Sequence, residues 1–210
     1  MGSTKPAEIT LDLKAGKIPV RFTDLAENAG RNRVDARVFG EMRQRDPEFG
    51  TIFSGAEIAR VIGVATDEIA EEWPVQSVST GLTFTIVPLR NPDALANLNF
   101  AYALAEEFLE ERGGKFFYFL CPERRQNGLE ARARMFFYGG EDPATGSAAG
   151  MVQHKIANSD EQVVIRQGSA IRRPSEMYVR ATRDGERVSN VRVGGYAVEV
   201  LRGTVTLEGK

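Results

Sequence analysis

The chain has 210 residues, of which 42% are hydrophobic and 27% charged, and its formal net charge is −2 at pH 7. This composition is typical of a globular protein, and the charge provides no basic surface of the kind that nucleic acid requires. The single cysteine, Cys121, excludes an internal disulfide and a cysteine-rich metal site. No apolar stretch approaches the ~20 residues that span a membrane, and the first residues lack a signal-peptide core, so we expect a cytoplasmic protein.

The first half of the chain predicts strands and two or three helices. Apolar alternation predicts strands at 18–22, 34–42, 75–79 and 83–89, with a turn at 28–32. Ser54 and Glu57 have the spacing of a capping box and predict a helix that ends at Gly63, followed by a short helix at 67–71. A longer helix is predicted from 91–93 to Gly113, because apolar residues recur at helical spacing, at Leu98, Tyr102, Ala105 and Leu109.

The second half predicts mainly strands around one helix. Strands are expected at 116–121 and 129–137, then a helix through Ile156, then strands at 163–167, 177–182, 188–193 and 197–205. This order predicts an α+β fold, in which a curled mixed sheet surrounds a helix of small residues.

The run EDPATGSAAG, from Glu141 to Gly150, is the most informative feature of the sequence. Thr145, Gly146 and Ser147 would place backbone N–H groups and hydroxyls at the start of the small-residue helix, where the helix dipole favours an anion. A bound carboxylate there would lie within reach of Asp142. The alternative is an ordinary helix start, with Asp142 as the N-cap and Pro143 as the first helical residue.

Several ordered motifs resemble one family, the phenazine-biosynthesis (PhzF-like) isomerases, which have the diaminopimelate-epimerase fold. The resemblance is carried by the run above and extends from about Leu11 to Leu207. The other matching segments are Lys14 to Val20, Met42-Arg43-Gln44 with Pro47 and Phe49-Gly50, Ser79-Thr80-Gly81, Gln167-Gly168, Arg173-Pro174-Ser175 and Val193 to Val198.

The resemblance implies a fold of two lobes. Residues 1–52 would be the remaining strands of an incomplete first lobe, 53–175 the second lobe, and 176–210 the C-terminal strands that complete both. It also implies isomerisation of a small carboxylate-bearing substrate by a proton shuttle that needs neither metal nor nucleotide, so we expect no cofactor and no metal site.

The site residues follow from the same resemblance. Thr145, Gly146 and Ser147 would bind the substrate carboxylate, and Asp142 would orient the substrate. Gln167 and Arg173 would border the cleft, although a strand residue and a surface cation are the plain alternatives. Glu141 is the nearest candidate for the acid/base, with a helix-start carboxylate as the alternative. The only histidine, His154, is interpreted as structural.

The family's Ser-Glu-Thr-like segment, which carries its acid/base glutamate, and its Gly-His-Pro motif are absent from these 210 residues. The chain therefore resembles the family without the N-terminal segment of its first lobe. Three possibilities stay open: an isomerase, alone or with a lobe from another chain; a catalytically silent anion-binding or scaffold homologue; and a truncated product. Exposed strand edges in an incomplete lobe predict a homodimer.

Overall fold

A computed structural model describes residues 7–13, 16–24, 37–112, 114–126, 128–137, 139–149, 158–198, 201, 203, 204 and 206. The chain is a sheet-dominated α+β protein, as the sequence predicts. Its strands are β1 (Glu8–Leu13), β2 (Gly16–Asp24), β3 (Arg37–Arg43), β4 (Glu48–Phe53), β5 (Val75–Ser79), β6 (Thr83–Pro88), β7 (Phe116–Arg125), β8 (Gly128–Phe137), β9 (Gly140–Glu141), β10 (Val163–Gln167), β11 (Ser175–Asp184) and β12 (Arg187–Val198). Its helices are α1 (Gly55–Ile62), α2 (Pro92–Ala96), α3 (Tyr102–Arg112) and α4 (Gly146–Ala149).

The strands form one open mixed sheet in the order β1-β2-β3-β12-β11-β10-β8-β7-β6-β5-β4, and β9 pairs with β8. Two pairs are parallel, β10 with β8 and β6 with β7. The C-terminal strand β12 lies between β3 and β11, so early and late parts of the chain share one end of the sheet. The division at residues 52 and 175 stays a prediction.

The core consists of two apolar clusters on opposite faces of the sheet. Strand β7 contributes to both, because successive side chains point to opposite faces. Tyr118 and Leu120 join the cluster that contains Ala148 of α4. Phe117 and Phe119 join the cluster under α1, α2 and α3. The small Ala148 is fully buried, which fits the expectation that this helix is closely packed.

The predicted helix from 91–93 to Gly113 is wrong in one respect, because it is broken into α2 and α3. Arg134 of β8 explains the break. Its Nη1 donates hydrogen bonds to the carbonyls of Leu95, Ala96 and Leu98, at 3.0, 3.1 and 3.3 Å. A guanidinium at the end of α2 satisfies carbonyls that a continuing helix would otherwise use.

Two other features differ from the prediction. Gly63 ends α1 in the left-handed conformation as expected, but the hydroxyl of Ser54 makes no capping hydrogen bond. The strands predicted at 188–193 and 197–205 are not two separate strands: β12 runs without a break from Arg187 to Val198, and residues 201, 203 and 204 lie outside any strand. Gly194 does not interrupt this strand. A glycine is present there because the ring of Phe39 lies against its Cα, and a Cβ would be 2.4 Å from Cζ of Phe39.

Some predictions fall outside the described residues. They are the turn at 28–32, the continuation of the small-residue helix to Ile156, and His154. Among the helices that the structure describes, none has both the length and the apolar character that a membrane span requires.

Arg134→Met should cost about 3 kcal/mol of unfolding free energy, because it leaves a buried carboxylate, that of Glu141, without its partner. The two side chains form a salt bridge with Nη2 2.8 Å from Oε2 and are only 14% and 6% exposed. Arg132→Met on the same strand is the control. Its side chain is 55% exposed and pairs with Glu123, so its loss should cost less than about 1 kcal/mol. Urea unfolding measures both, and equal losses would contradict the assignment.

Candidate functional site

The loop between β9 and α4 is closed by the carboxylate of Asp142. Its Oδ2 accepts a hydrogen bond from the hydroxyl of Thr145 at 2.8 Å, and its Oδ1 accepts one from the N–H of Ala144 at 3.3 Å. Its own N–H donates to the carbonyl of Met135. Because α4 begins at Gly146, Pro143 is not the first helical residue, and the three residues before the helix form a turn that Asp142 holds.

Gln167, at the end of β10, ties this turn to the sheet. Its Nε2 donates to the carbonyl of Asp142 at 2.7 Å and to Oγ1 of Thr145 at 2.8 Å. Its Oε1 accepts from the N–H of Thr145 at 3.3 Å and from the hydroxyl of Tyr118 at 3.2 Å. The side chain is 1% exposed, so protein groups satisfy both amide hydrogens and both lone pairs of a buried glutamine.

These bonds form a directed chain that ends at the Asp142 carboxylate. Gln167 donates to the Thr145 hydroxyl, and that hydroxyl donates to Asp142, so each bond polarises the next. Tyr118 lies at the other end. Burial raises the pKa of its phenol far above the usual range, and the negative charge of Asp142 raises it further. Tyr118 is therefore a neutral hydrogen-bond donor at physiological pH.

Gly168 allows a second loop to lie against the turn. It has φ +82°, and a Cβ there would be 2.2 Å from the carbonyl oxygen of Arg173 and 2.9 Å from that of Pro143. The N–H of Arg173 donates to the carbonyl of Gly168 at 2.9 Å. A glycine is required here by both the backbone conformation and the close approach. The backbone of Arg173 thus lies next to the turn, while its side chain is exposed.

The first turn of α4 is held from two other directions. Nε2 of Gln44 donates to the carbonyl of Gly146 at 2.7 Å, and the hydroxyl of Thr80 donates to the carbonyl of Ser147 at 3.2 Å. Met42 also approaches closely, since a Cβ on Gly146 would lie 2.8 Å from its Cε. Strand β3 and the β5–β6 turn therefore fix the position of the helix start.

Glu141 is held away from this network. Its two carboxylate oxygens accept hydrogen bonds from Arg134, from Nε at 3.1 Å and from Nη2 at 2.8 Å. Its side chain is nearly buried in this pair. This two-point ion pair fixes the position of the carboxylate and stabilises the fold locally.

A cleft of about 720 Å³ lies beside the helix start. Ala144 and Gly146 form one wall, and Pro174, Ser175 and Glu176 lie next to them. The rest of the lining comes from the cleft-facing side of β1, β2, β3, β11 and β12: Leu11, Val20, Gly40, Met42, Met177, Val193, Gly194, Gly195, Tyr196 and Val198. The loop residues Ala144 and Gly146 and a mostly apolar set of strand residues therefore line the same cleft.

The structure brings most of the predicted site residues together, but at different depths. Gly146 lines the cleft. Thr145 and Gln167 are buried behind it, and Asp142 bonds to Thr145. Ser147 follows Gly146 in α4. Their roles toward a substrate stay predictions.

Sequence reasoning missed two residues of the site. Tyr118 falls in the strand predicted at 116–121, and no local signal distinguishes it from the phenylalanines around it. Gln44 belongs to a motif of the family resemblance, which is the one signal that marks it. Its Oε1 is buried with no hydrogen-bond partner among the described residues.

A second depression of about 850 Å³ lies at the β7–β8 hairpin. Its charged residues pair with one another: Arg125 bonds with Glu123 and Glu130. We therefore assign the candidate site to the cleft beside Gly146. No cluster of three or more potential metal ligands (His, Cys, Asp or Glu) occurs among the residues that the structure describes.

Comparisons with known proteins agree with this architecture. Residues 1–203 match the family described as phenazine biosynthesis-like proteins. A trans-2,3-dihydro-3-hydroxyanthranilate isomerase of Pseudomonas aeruginosa is 44% identical, over 97% of this chain and 69% of that protein. An uncharacterized isomerase of Mesorhizobium japonicum is 31% identical, over 70% of this chain and 53% of that protein. The chain thus spans between about half and two thirds of the length of these relatives.

A solved structure has the same fold. The phenazine biosynthesis protein of the PhzF family from Bacillus anthracis superposes with a TM-score of 0.75, covering 97% of this chain and 70% of that one, at 23% sequence identity.

Gln167→Leu should lower the unfolding free energy by about 3 kcal/mol, because it leaves the buried N–H of Thr145, the carbonyl of Asp142 and the Tyr118 hydroxyl without a partner. Gln162→Leu is the matched control, since Gln162 is exposed and its replacement should change stability by no more than about 0.5 kcal/mol. Chemical denaturation of both variants makes the comparison. A Gln167→Leu protein as stable as the parent would show that the turn does not depend on this amide.

Proposed function

Because the chain belongs to the phenazine biosynthesis-like (PhzF) family, we propose that it is an isomerase that binds a small carboxylate-bearing molecule in the cleft beside Gly146. The proposed reaction removes a proton from one carbon of the substrate and delivers a proton to another, with a shift of the double bond between them. The observation that carries the proposal is the cleft itself, which lies against the one loop that the Asp142–Thr145–Gln167 network holds in place.

The size and lining of the cleft support a small ring-shaped substrate. A volume of about 720 Å³ lies within the range of small-molecule sites. The relative from P. aeruginosa is named for trans-2,3-dihydro-3-hydroxyanthranilate, a molecule with a carboxylate, an amine and a hydroxyl on one ring. A ring would pack on Met42 and Val193, while its polar groups face the loop at Ala144 and Gly146.

The proton shuttle itself needs a carboxylic acid with a free oxygen at the cleft. Glu176 lines the cleft but accepts hydrogen bonds from Arg166 at 3.1 Å and from the hydroxyl of Tyr178 at 3.1 Å. These two bonds lower the pKa of Glu176, which disfavours its protonated form. Glu141 is bound to Arg134, and Asp142 to Thr145. Glu176 is the one carboxylate among the described residues that line the cleft. In the favoured form of the proposal, the acid/base therefore comes from a segment outside the described residues or from a second chain.

The same pairing of carboxylates favours a second candidate function. Such a homologue would retain the cleft and the loop that Gln167 holds, and each nearby carboxylate would be bound by another residue of the same chain. It would bind a small anion without catalysing proton transfer. Binding and catalysis therefore need separate measurements.

We also propose that the chain forms a homodimer. Among the described residues, strand β1 is an edge of the sheet, and all six of its residues are exposed. Large apolar side chains are exposed at this end of the sheet, at Ile9, Leu11, Leu13, Tyr196 and Val198. An exposed edge with apolar neighbours is a surface that pairs with another chain.

The central experiment incubates the chain with trans-2,3-dihydro-3-hydroxyanthranilate in D₂O and follows the ring by NMR, with calorimetric titration of the same compound in parallel. Isomerisation with one solvent deuterium at the carbon that gains a proton supports the isomerase. Binding without deuterium incorporation supports the silent homologue. Absence of binding at millimolar ligand overturns both.

Gly195→Val tests whether the cleft is the binding site. A side chain is tolerated at this position, because a Cβ would meet only the carbonyl oxygen of Glu176, at 3.5 Å, but it would occupy the cleft that Gly195 lines. We expect the ligand Kd to rise about tenfold or more, with unchanged thermal stability.

Gly203→Val is the control for this substitution, because a Cβ at Gly203 would meet no atom within 4 Å. Its Kd should equal that of the parent chain. If Gly195→Val binds as tightly as the parent chain, the ligand occupies another site.

A further inference from the structure

The face of the sheet opposite the candidate cleft carries a small pocket lined by arginines. Its volume is about 160 Å³, and its lining residues are Glu8, Pro19, Arg21, Glu41, Arg43 and Arg192. We infer that this arginine pocket binds a dianion of the phosphate type, as free phosphate or as the phosphate group of a larger molecule. The inference concerns a second site and does not depend on the function proposed for the cleft.

The arginine pocket and the cleft lie on opposite faces of the same two strands. Met42 of β3 and Val193 of β12 line the cleft. Arg43 and Arg192 adjoin them in sequence, and successive side chains of a strand point to opposite faces. Both strands are interior to the sheet, since β3 pairs with β2 and β12, and β12 pairs with β3 and β11. These arginines therefore lie on a fully paired part of the sheet rather than on its edge.

Three arginines lie side by side on this face. Arg43 is opposite Arg192 in the register of β3 and β12, and Arg192 is opposite Arg180 in the register of β12 and β11. Residues directly opposite each other in a sheet have Cβ atoms about 5 Å apart, and like charges in such positions are unfavourable. The row of Arg43, Arg192 and Arg180 therefore needs anions to balance it.

Among the described residues, one carboxylate contacts this row. Glu41 accepts hydrogen bonds from Nη2 of Arg180 at 3.0 and 2.9 Å, and Nη1 of Arg192 lies 3.5 Å from its Oε1. Nε of Arg180 is buried with no hydrogen-bond partner among the same residues. Arg43 is exposed, and in the part of the chain that the structure describes its guanidinium forms no ion pair or hydrogen bond. The donors of Arg43 are thus open to a ligand in the pocket.

The charge of the arginine pocket favours a dianion. Arg21 lines it from β2, and its Nε donates to Oε2 of Glu8 at 2.7 Å. With this pair and the row included, four arginines face two glutamates, which leaves two positive charges in excess on a chain whose formal net charge is −2. A phosphate monoester carries about −1.5 to −2 at pH 7, whereas a carboxylate carries a single charge. The planar guanidinium also matches phosphate oxygens with two parallel hydrogen bonds.

Calorimetric titration with inorganic phosphate tests the site, at low ionic strength because salt screens exposed charges. Arg43→Gln should raise the phosphate Kd about tenfold or more, since it removes charge-assisted hydrogen bonds to the ligand. Its thermal stability should equal that of the parent chain, because the guanidinium has no protein partner among the described residues. Arg187→Gln is the matched control: Arg187 is an exposed arginine of β12 that does not line the pocket, so its loss should leave the Kd nearly unchanged.

Glu8→Gln should have the opposite effect. It removes a negative charge next to the pocket and releases Arg21, so the phosphate Kd should fall about threefold. The two side chains of this pair are 72% and 47% exposed, so the fold does not depend on it. A Kd that rises in Glu8→Gln would contradict the charge argument.

Three comparisons decide the ligand and the place. Acetate should bind at least about tenfold more weakly than phosphate, because one negative charge leaves the excess half balanced. Methyl phosphate that binds as tightly as inorganic phosphate supports a site for the phosphate group of a larger molecule, and weaker binding of the ester supports a site for the free ion. Gly195→Val, which fills the cleft, should leave the phosphate Kd unchanged.

Four results would overturn the inference. They are the absence of saturable binding at millimolar phosphate, equal binding of acetate and phosphate, an equal loss of affinity in Arg43→Gln and Arg187→Gln, and a loss of phosphate binding in Gly195→Val. The last result would place the phosphate in the cleft and leave the function proposed there standing.

Discussion

Gln167 connects two segments that lie 22 residues apart, the end of β10 and the turn before α4. Its amide makes four hydrogen bonds in a place that is almost fully shielded from water, where each unpaired polar group would cost about 1–3 kcal/mol. The N–H of Thr145 and the carbonyl of Asp142 both bond to this one side chain. A short loop with two hydroxyl- or carboxyl-bearing residues thus acquires a single conformation, and the position of Gly146 at the cleft follows from it.

The braced turn gives the site a fixed shape before any ligand arrives. Gln44 and Thr80 hold the carbonyls of α4 from one side, while Gly168 allows the 168–173 loop to press against Pro143 from the other. A ligand that binds here does not pay to order the loop, so more of its contact energy appears as affinity. The same rigidity has a consequence for Asp142. Its carboxylate already accepts two hydrogen bonds from the turn, so only its remaining lone pairs would be open to the proposed substrate.

The sequence predicts those features that depend on local pattern. Strands such as Val75–Ser79 and Val163–Gln167 have the predicted bounds, and Gly63 ends its helix through a left-handed conformation that glycine favours. Features that depend on distant partners are not predictable in this way. The break between α2 and α3 results from Arg134, which lies 36 residues beyond Leu98, and Gly194 stays within a strand because Phe39 covers it. The Gln167 network has the same origin: its motif marks the residue, but only the fold shows that its partners are Tyr118 and Thr145.

The two walls of the cleft differ in how well the rest of the chain fixes them in place and covers them. The polar wall at Ala144 and Gly146 is fixed by internal hydrogen bonds, whereas the apolar wall ends at Leu11, on a strand whose backbone and side chains are both exposed. An apolar wall that is exposed to water is unfavourable, and its burial would contribute about 25 cal/mol for each Å² of apolar surface removed from water. Binding of a ring-shaped ligand in the cleft would cover part of this surface, so the apolar wall would contribute to the affinity while the fixed polar loop sets the orientation of the ligand.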